Sequence, residues 1–117
     1  MTADSSRVAI TMGDPAGIGS EIIAKAVPRI GPGVDVVVVG DAAVLERAVE
    51  ICDSDLAVQV VDGPGDEVAE GQIPVLDLDL VDDVSYGDLR ERYGAASLAY
   101  VERAVELAVA GEVDAIA

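Results

Sequence analysis

Residues Val34 to Val39 are almost uninterrupted valine, broken only by Asp35. β-Branched residues in so short a run favour a strand, and a strand without polar alternation has both faces buried. Such strands belong to parallel sheets covered by helices on each side, which restricts the chain to the α/β class before any other residue is considered.

The flanking sequence fits that restriction. Arg7 to Thr11 reads as a short apolar strand. Gly19 to Val27 reads as a helix closed by Pro28 and the Gly31-Pro32-Gly33 breaker. Asp41 is placed to cap a helix reaching about Ile51. Ala57 to Val61 is a further strand before the turn Asp62-Gly63-Pro64-Gly65, and Ile73 to Leu80 supplies one or two more. Asp82 to Tyr93 reads as an acidic surface connection. A helix from about Ala95 to Ala110 carries Leu98, Val101, Val105 and Ala108 on one face, a stripe widened by Tyr100, Ala104 and Leu107. Glu102, Arg103 and Glu106 are expected to face water, and Gly111 to close the helix. Val113 to Ala117 begins another strand. The alternation predicts one α/β domain with a largely parallel sheet flanked by helices. In such sheets the loops at the C-terminal strand ends carry the ligand, and a chain stopping at that edge reads as truncated.

Composition narrows the functional classes. The chain has 117 residues, 23 acids against 7 bases, and a net charge of -16. That balance opposes nucleic acid and anionic membrane surfaces. With neither Phe nor Trp, aromatic platforms for stacking are scarce. An acid-rich chain whose lysine content is the single Lys25 suits a salt-rich cytoplasm, where screening relieves self-repulsion. Up to Gly31 the charges cancel: Asp4, Asp14 and Glu21 stand against Arg7, Lys25 and Arg29. The opening segment can therefore tolerate an anion. The N-terminus lacks the apolar stretch of a signal peptide. Cys52, the lone cysteine, forms no internal disulfide and reads as a small buried hydrophobe, because the sequence has no histidine to activate it.

One segment has chemical content: Thr11-Met12-Gly13-Asp14-Pro15-Ala16-Gly17-Ile18-Gly19-Ser20-Glu21, between the first strand and the first helix. Its glycines permit a sharp turn and close backbone approach, Pro15 stiffens it, and the helix start offers free N–H groups to an anion. The spacing is neither G-x-G-x-x-G nor a Walker A loop. On spacing alone, a glycine turn that binds nothing is as good a reading.

ITMGDPAGIGSEI resembles the opening signature of the 4-hydroxythreonine-4-phosphate dehydrogenase family. Gly94-Ala95-Ala96-Ser97-Leu98-Ala99-Tyr100-Val101, with the later Gly111-Glu112-Val113-Asp114-Ala115-Ile116, resembles that family's helix and following strand. The resemblance spans nearly the whole chain and about the N-terminal third of such an enzyme. It implies an N-terminal portion, residues 1–117, of a dehydrogenase α/β domain with a fold like the isocitrate and isopropylmalate dehydrogenases. It implies oxidation and decarboxylation of 4-phosphohydroxy-L-threonine with NAD, on the way to pyridoxal phosphate, in a cytoplasmic homodimer. A divalent metal (Zn, Mg or Co) held by histidines of both subunits would polarise the alcohol. With no histidine, this chain cannot supply that site and is expected to be inactive alone. Cofactor binding is assigned to Gly13, Asp14, Pro15, Ala16, Gly17, Ile18 and Gly19, with Asp14 orienting the loop; no residue is assigned to catalysis or metal.

Ser20 stands where the family usually has Pro, and is expected to cap the helix instead. Asp77, Asp79, Asp82 and Asp83 read as a solvated acidic surface rather than a metal cluster, and Tyr86 and Tyr93 as packing residues. Other readings remain: a dehydrogenase of four-carbon sugar-acid phosphates (erythronate or threonate 4-phosphate), a phosphate acetyltransferase-like fragment, or a non-catalytic α/β binding module.

Overall fold

The computed structural model describes residues 6–31, 33–81 and 90–117. Strands β1 (Ser6–Thr11), β2 (Val34–Gly40), β3 (Ala57–Val60), β4 (Gln72–Asp77) and β5 (Ala115–Ile116) form one sheet in the order β3-β4-β2-β1-β5, and every pairing is parallel. Helices α1 (Gly19–Ala26), α2 (Ala42–Ile51) and α3 (Glu91–Val109) make the crossovers. Helix α1 packs on α2, and α3 lies across β1, β2 and β5. The α1 and α2 crossovers run one way across the sheet and the α3 crossover, from β4 to β5, runs the other, so right-handed connections put α1 and α2 on one face and α3 on the other.

The valine run is the central strand. Val37, Val38 and Val39 are all buried, although alternate residues point to opposite faces. Ala9, Ile73 and Val75 line up beside them. Several ends differ slightly from expectation. Helix α1 stops at Ala26 and a 3₁₀ turn, Val27–Arg29, takes over with Pro28. Residues Ile73 to Leu80 contribute a single strand ending at Asp77. Gly111, with φ of +76°, closes α3 as anticipated: its N–H donates to Ala108 O at 3.1 Å, and Glu112 N–H donates to Leu107 O at 2.9 Å.

Two expectations about α3 fail. The helix starts at Glu91, so residues 91–93 belong to its first turn rather than to a surface connection. Residues 82–89, which include Asp82, Asp83 and Tyr86, lie outside the described residues. The second failure concerns the face. Tyr93, Ala96, Tyr100, Ala104 and Leu107 are buried, whereas Leu98, Val101 and Val105 are exposed. The helix is apolar on two sides. The side with two alanines lies against the sheet, because small residues let the helix approach and the tyrosines fill the remaining space. Tyr93 is a packing residue, fully buried.

Asp41 departs from expectation in a third way. It stands at the N-cap position of α2, but its side chain does not cap. It is buried at the end of β2, where Oδ1 accepts from Leu80 N (2.6 Å) and Val81 N (3.2 Å) and Oδ2 accepts from the Tyr100 hydroxyl. Burial, then the Asp41 hydrogen bond, then the charges of Asp41, Asp77 and Asp14 push the Tyr100 phenol far above its ordinary value.

A phenol whose folded pKa is raised stabilises the fold below the unfolded value, about 10, and that contribution is lost as pH climbs beyond it. Above pH ~10 the wild type should lose about 1.4 kcal/mol per pH unit more than Tyr100→Phe. At pH 8 the variant should be the less stable by about 1–3 kcal/mol, since Asp41 Oδ2 is left unpaired. Urea unfolding of both proteins between pH 8 and 11 measures each term. Parallel pH profiles would contradict the assignment.

Candidate functional site

The C-terminal edge of the sheet gathers the ends of β1, β2, β4 and β5. Strand β1 continues through α1 to β2 on one side, while β5 is reached through α3 on the other. The connections therefore diverge at β1, and ligands of open parallel sheets bind outside such a divergence. The loop Met12–Ile18 leaves β1 at that point.

The loop is built by short-range hydrogen bonds. Met12 N–H donates to Val39 O at 3.1 Å, holding the end of β1 to β2. Gly13 turns the chain with φ of +71°, a value that favours glycine. Asp14 Oδ1 accepts from Ala16 N at 2.8 Å, and Asp14 O accepts from Gly17 N at 2.9 Å, so the aspartate organises the turn by accepting backbone N–H groups. Pro15 and Ala16 point inward and are buried. Ile18 is exposed, and Gly13, Asp14, Gly17 and Gly19 are half-buried. Of the seven loop residues assigned from sequence, Pro15 and Ala16 therefore anchor the loop, and the other five reach its surface.

Gly19 has a role that sequence reading gave to ligand approach. A Cβ there would overlap the Met12 carbonyl oxygen. The bare α-carbon lets the start of α1 pack against the end of β1. Ser20 does not cap the helix, as it was expected to: Ile18 is the N-cap, no side chain bonds there, and the buried Ser20 Oγ has no partner. The N–H groups of Ile18, Gly19, Ser20 and Glu21 donate to no protein acceptor among the described residues. They form the open positive end of the α1 dipole.

The corresponding end of α2 is closed. Asp77 Oδ1, at the end of β4, accepts from Ala42 N at 3.1 Å and from Asp79 N at 3.1 Å. Asp41, at the start of α2, reaches the other way to Leu80 and Val81. The two carboxylates exchange places, and a protein anion already occupies the start of α2. Sequence reading placed Asp77 in a solvated surface; it is exposed, yet it also caps α2. Its signal was present, since a carboxylate at the end of a parallel strand lies beside the helix starts of its neighbours.

Among the described residues no group of three or more His, Cys, Asp or Glu could hold a metal ion. Cys52 is half-buried, packs against the core and contacts Glu21 O at 3.9 Å. No described helix is long and apolar enough to cross a membrane.

Comparison with known proteins bears on this edge. Residues 33–117 match the family model described as the pyridoxal phosphate biosynthetic protein PdxA. The chain is 37% identical to a 4-hydroxythreonine-4-phosphate dehydrogenase of Trichlorobacter lovleyi, covering 100% of this chain and 37% of that one. It is 39% identical to a Fusobacterium nucleatum protein whose name assigns it to D-threonate 4-phosphate dehydrogenation, covering 96% and 35%. The crystal structure of a 4-hydroxythreonine-4-phosphate dehydrogenase from Burkholderia phymatum superimposes with a TM-score of 0.88 at 35% identity, again over 96% of this chain and 35% of that one. The chain spans about a third of the length of the curated relatives it matches.

Gly19→Ala should cost about 1–3 kcal/mol through overpacking against Met12. Gly31→Ala, where a Cβ meets nothing within 4 Å, should stay within about 0.5 kcal/mol of wild type. Urea midpoints of the two variants decide whether the glycine serves internal packing.

Proposed function

Because the chain belongs to the family of the pyridoxal phosphate biosynthetic protein PdxA, we propose that it is the N-terminal portion of an NAD-dependent 4-hydroxythreonine-4-phosphate dehydrogenase. The observation that carries this reading is the match, across the whole chain, to a relative of that name. The all-parallel fold and its similarity to the Burkholderia phymatum enzyme support it.

The geometry supports a division of labour at the C-terminal edge. Gly13, Asp14, Gly17, Ile18 and Gly19 present the loop surface to the ligand at that edge, with Pro15 and Ala16 fixing their path from within. The free N–H groups from Ile18 to Glu21 fit an anionic group, a phosphate of the dinucleotide or of the substrate. Helix α2 does not compete for it, since Asp77 fills its start. Asp14 positions the loop and moves no proton. NAD, when bound, accepts the hydride. The residues present do not fit the divalent metal that the family implies: the sequence has no histidine and the described carboxylates form no cluster. No step is assigned to a metal on this chain. In the intact enzyme we assign metal binding, homodimer formation and the reacting groups to the remaining two-thirds of the polypeptide, and the compartment to the cytoplasm.

A second substrate is favoured by a specific observation: relatives of comparable identity carry D-threonate 4-phosphate dehydrogenase names. The two substrates share a phosphate and a secondary alcohol, so the α1 site serves either.

The intact enzyme containing this segment should reduce NAD with 4-phosphohydroxy-L-threonine, read at 340 nm. Higher kcat/KM with D-threonate or erythronate 4-phosphate would transfer the assignment to the second reading; no reduction with any of them would overturn both. Asp14→Ala in that enzyme should raise KM for NAD or substrate about tenfold, about 1.4 kcal/mol. Unchanged constants would remove the loop from binding. The net charge of -16 also predicts a thermal midpoint that rises between low salt and molar KCl, as screening relieves repulsion. A flat salt profile would contradict the salt-rich origin.

A further inference from the structure

The opposite, N-terminal edge of the sheet holds a cleft of about 370 Å³ that the dehydrogenase reading does not use. The turn Gly63-Pro64-Gly65 folds over the first residues of β1 and β2 and leaves a hollow beside Val37 and Pro74. Arg7 and Asp35 enter it together, because they are directly opposed in the β1–β2 register. Opposite charges so placed ordinarily pair across the strands. Here neither side chain has an ion pair or hydrogen bond among the described residues. The cause is the loop. A Cβ on Gly65, whose φ is +89°, would lie 2.7 Å from Arg7 Nη2 and 2.9 Å from its Cζ, so the guanidinium rests against the bare glycine. The third charge in the cleft is already engaged, since Asp66 Oδ2 accepts from Asp62 N at 2.9 Å and Gly63 N at 3.3 Å.

From this juxtaposition we propose that the cleft binds a small zwitterion, an α-amino acid with a compact apolar side chain. Arg7 takes the carboxylate through its planar donors, Asp35 takes the ammonium, and the apolar wall takes the side chain. A ligand of either charge alone meets one complementary group and one repelling group, which gives the cleft its selectivity. The chain is otherwise strongly acidic, so an arginine held on glycine and without a carboxylate partner among the described residues is a preorganised recognition group.

Titration calorimetry of the intact enzyme containing this segment with L-valine tests this, with isovalerate and isobutylamine as the single-charge probes. Valine should bind saturably and each probe at least about tenfold more weakly. Arg7→Gln and Asp35→Asn should each weaken valine about tenfold or more, with unfolding midpoints near wild type because both side chains are exposed. Amide shifts on valine addition should centre on Gly63 and Gly65 and leave Gly13 to Gly19 still. Absence of saturable binding overturns the proposal, as does equal binding of the probes or unchanged affinity in both variants. Since the cleft lies at the opposite edge from the α1 start, Asp14→Ala should bind valine as wild type does.

Discussion

A carboxylate in a protein core is tolerated only when its oxygens are supplied with donors, because isolated burial costs several kcal/mol. Asp41 meets that demand by drawing on two other parts of the chain. Leu80 and Val81 give backbone N–H groups, and Tyr100 gives its hydroxyl. The end of the central strand, the segment after β4 and the middle of α3 are therefore fixed to one another by a single side chain. Hydrophobic burial alone would leave α3 free to slide or rotate, since it has a second apolar side. The directional bond to Tyr100 selects which side faces the sheet.

The same side chain shapes the electrostatics of the edge. With Asp41 turned toward Leu80 and Val81, the start of α2 needs another acceptor, and Asp77 supplies it. One helix start is thereby neutralised by the protein itself, while the other, at α1, keeps its N–H groups open. The asymmetry sits in a chain whose charges cancel up to Gly31 and run strongly negative beyond it. The open donors therefore lie beside β1, in the part of the chain where the charges balance.

Much of this was legible in the sequence. The valine run determined the class, and the alternation of periodic segments located every strand and helix among the described residues to within a few positions. Gly111 was legible because a C-terminal cap has a local signature. The face of α3 was not, because its pattern carries two apolar stripes and periodicity does not say which one meets the sheet. The role of Asp41 was hidden by its position, which suits an N-cap as well as a buried clasp. A clue did exist: a tyrosine on a buried stripe needs a partner for its hydroxyl, and Tyr100 lay between Ala96 and Ala104. Ser20 was misjudged because a serine in a first turn is expected to cap, whereas here the helix begins one residue before it and buries its side chain.

The glycine-proline loop carries a broader lesson about motifs. Its residues do not all serve one purpose. Gly19 is demanded by the Met12 carbonyl and Gly13 by a left-handed turn, Pro15 and Ala16 fill space, and Asp14 ties the turn to itself. Each requirement exists before any ligand arrives. What they accomplish together is to bring the unpaired N–H groups of α1 to the point where the strand connections diverge. A signature of this kind identifies a fold geometry first, and its chemistry follows from where that geometry leaves donors unsatisfied.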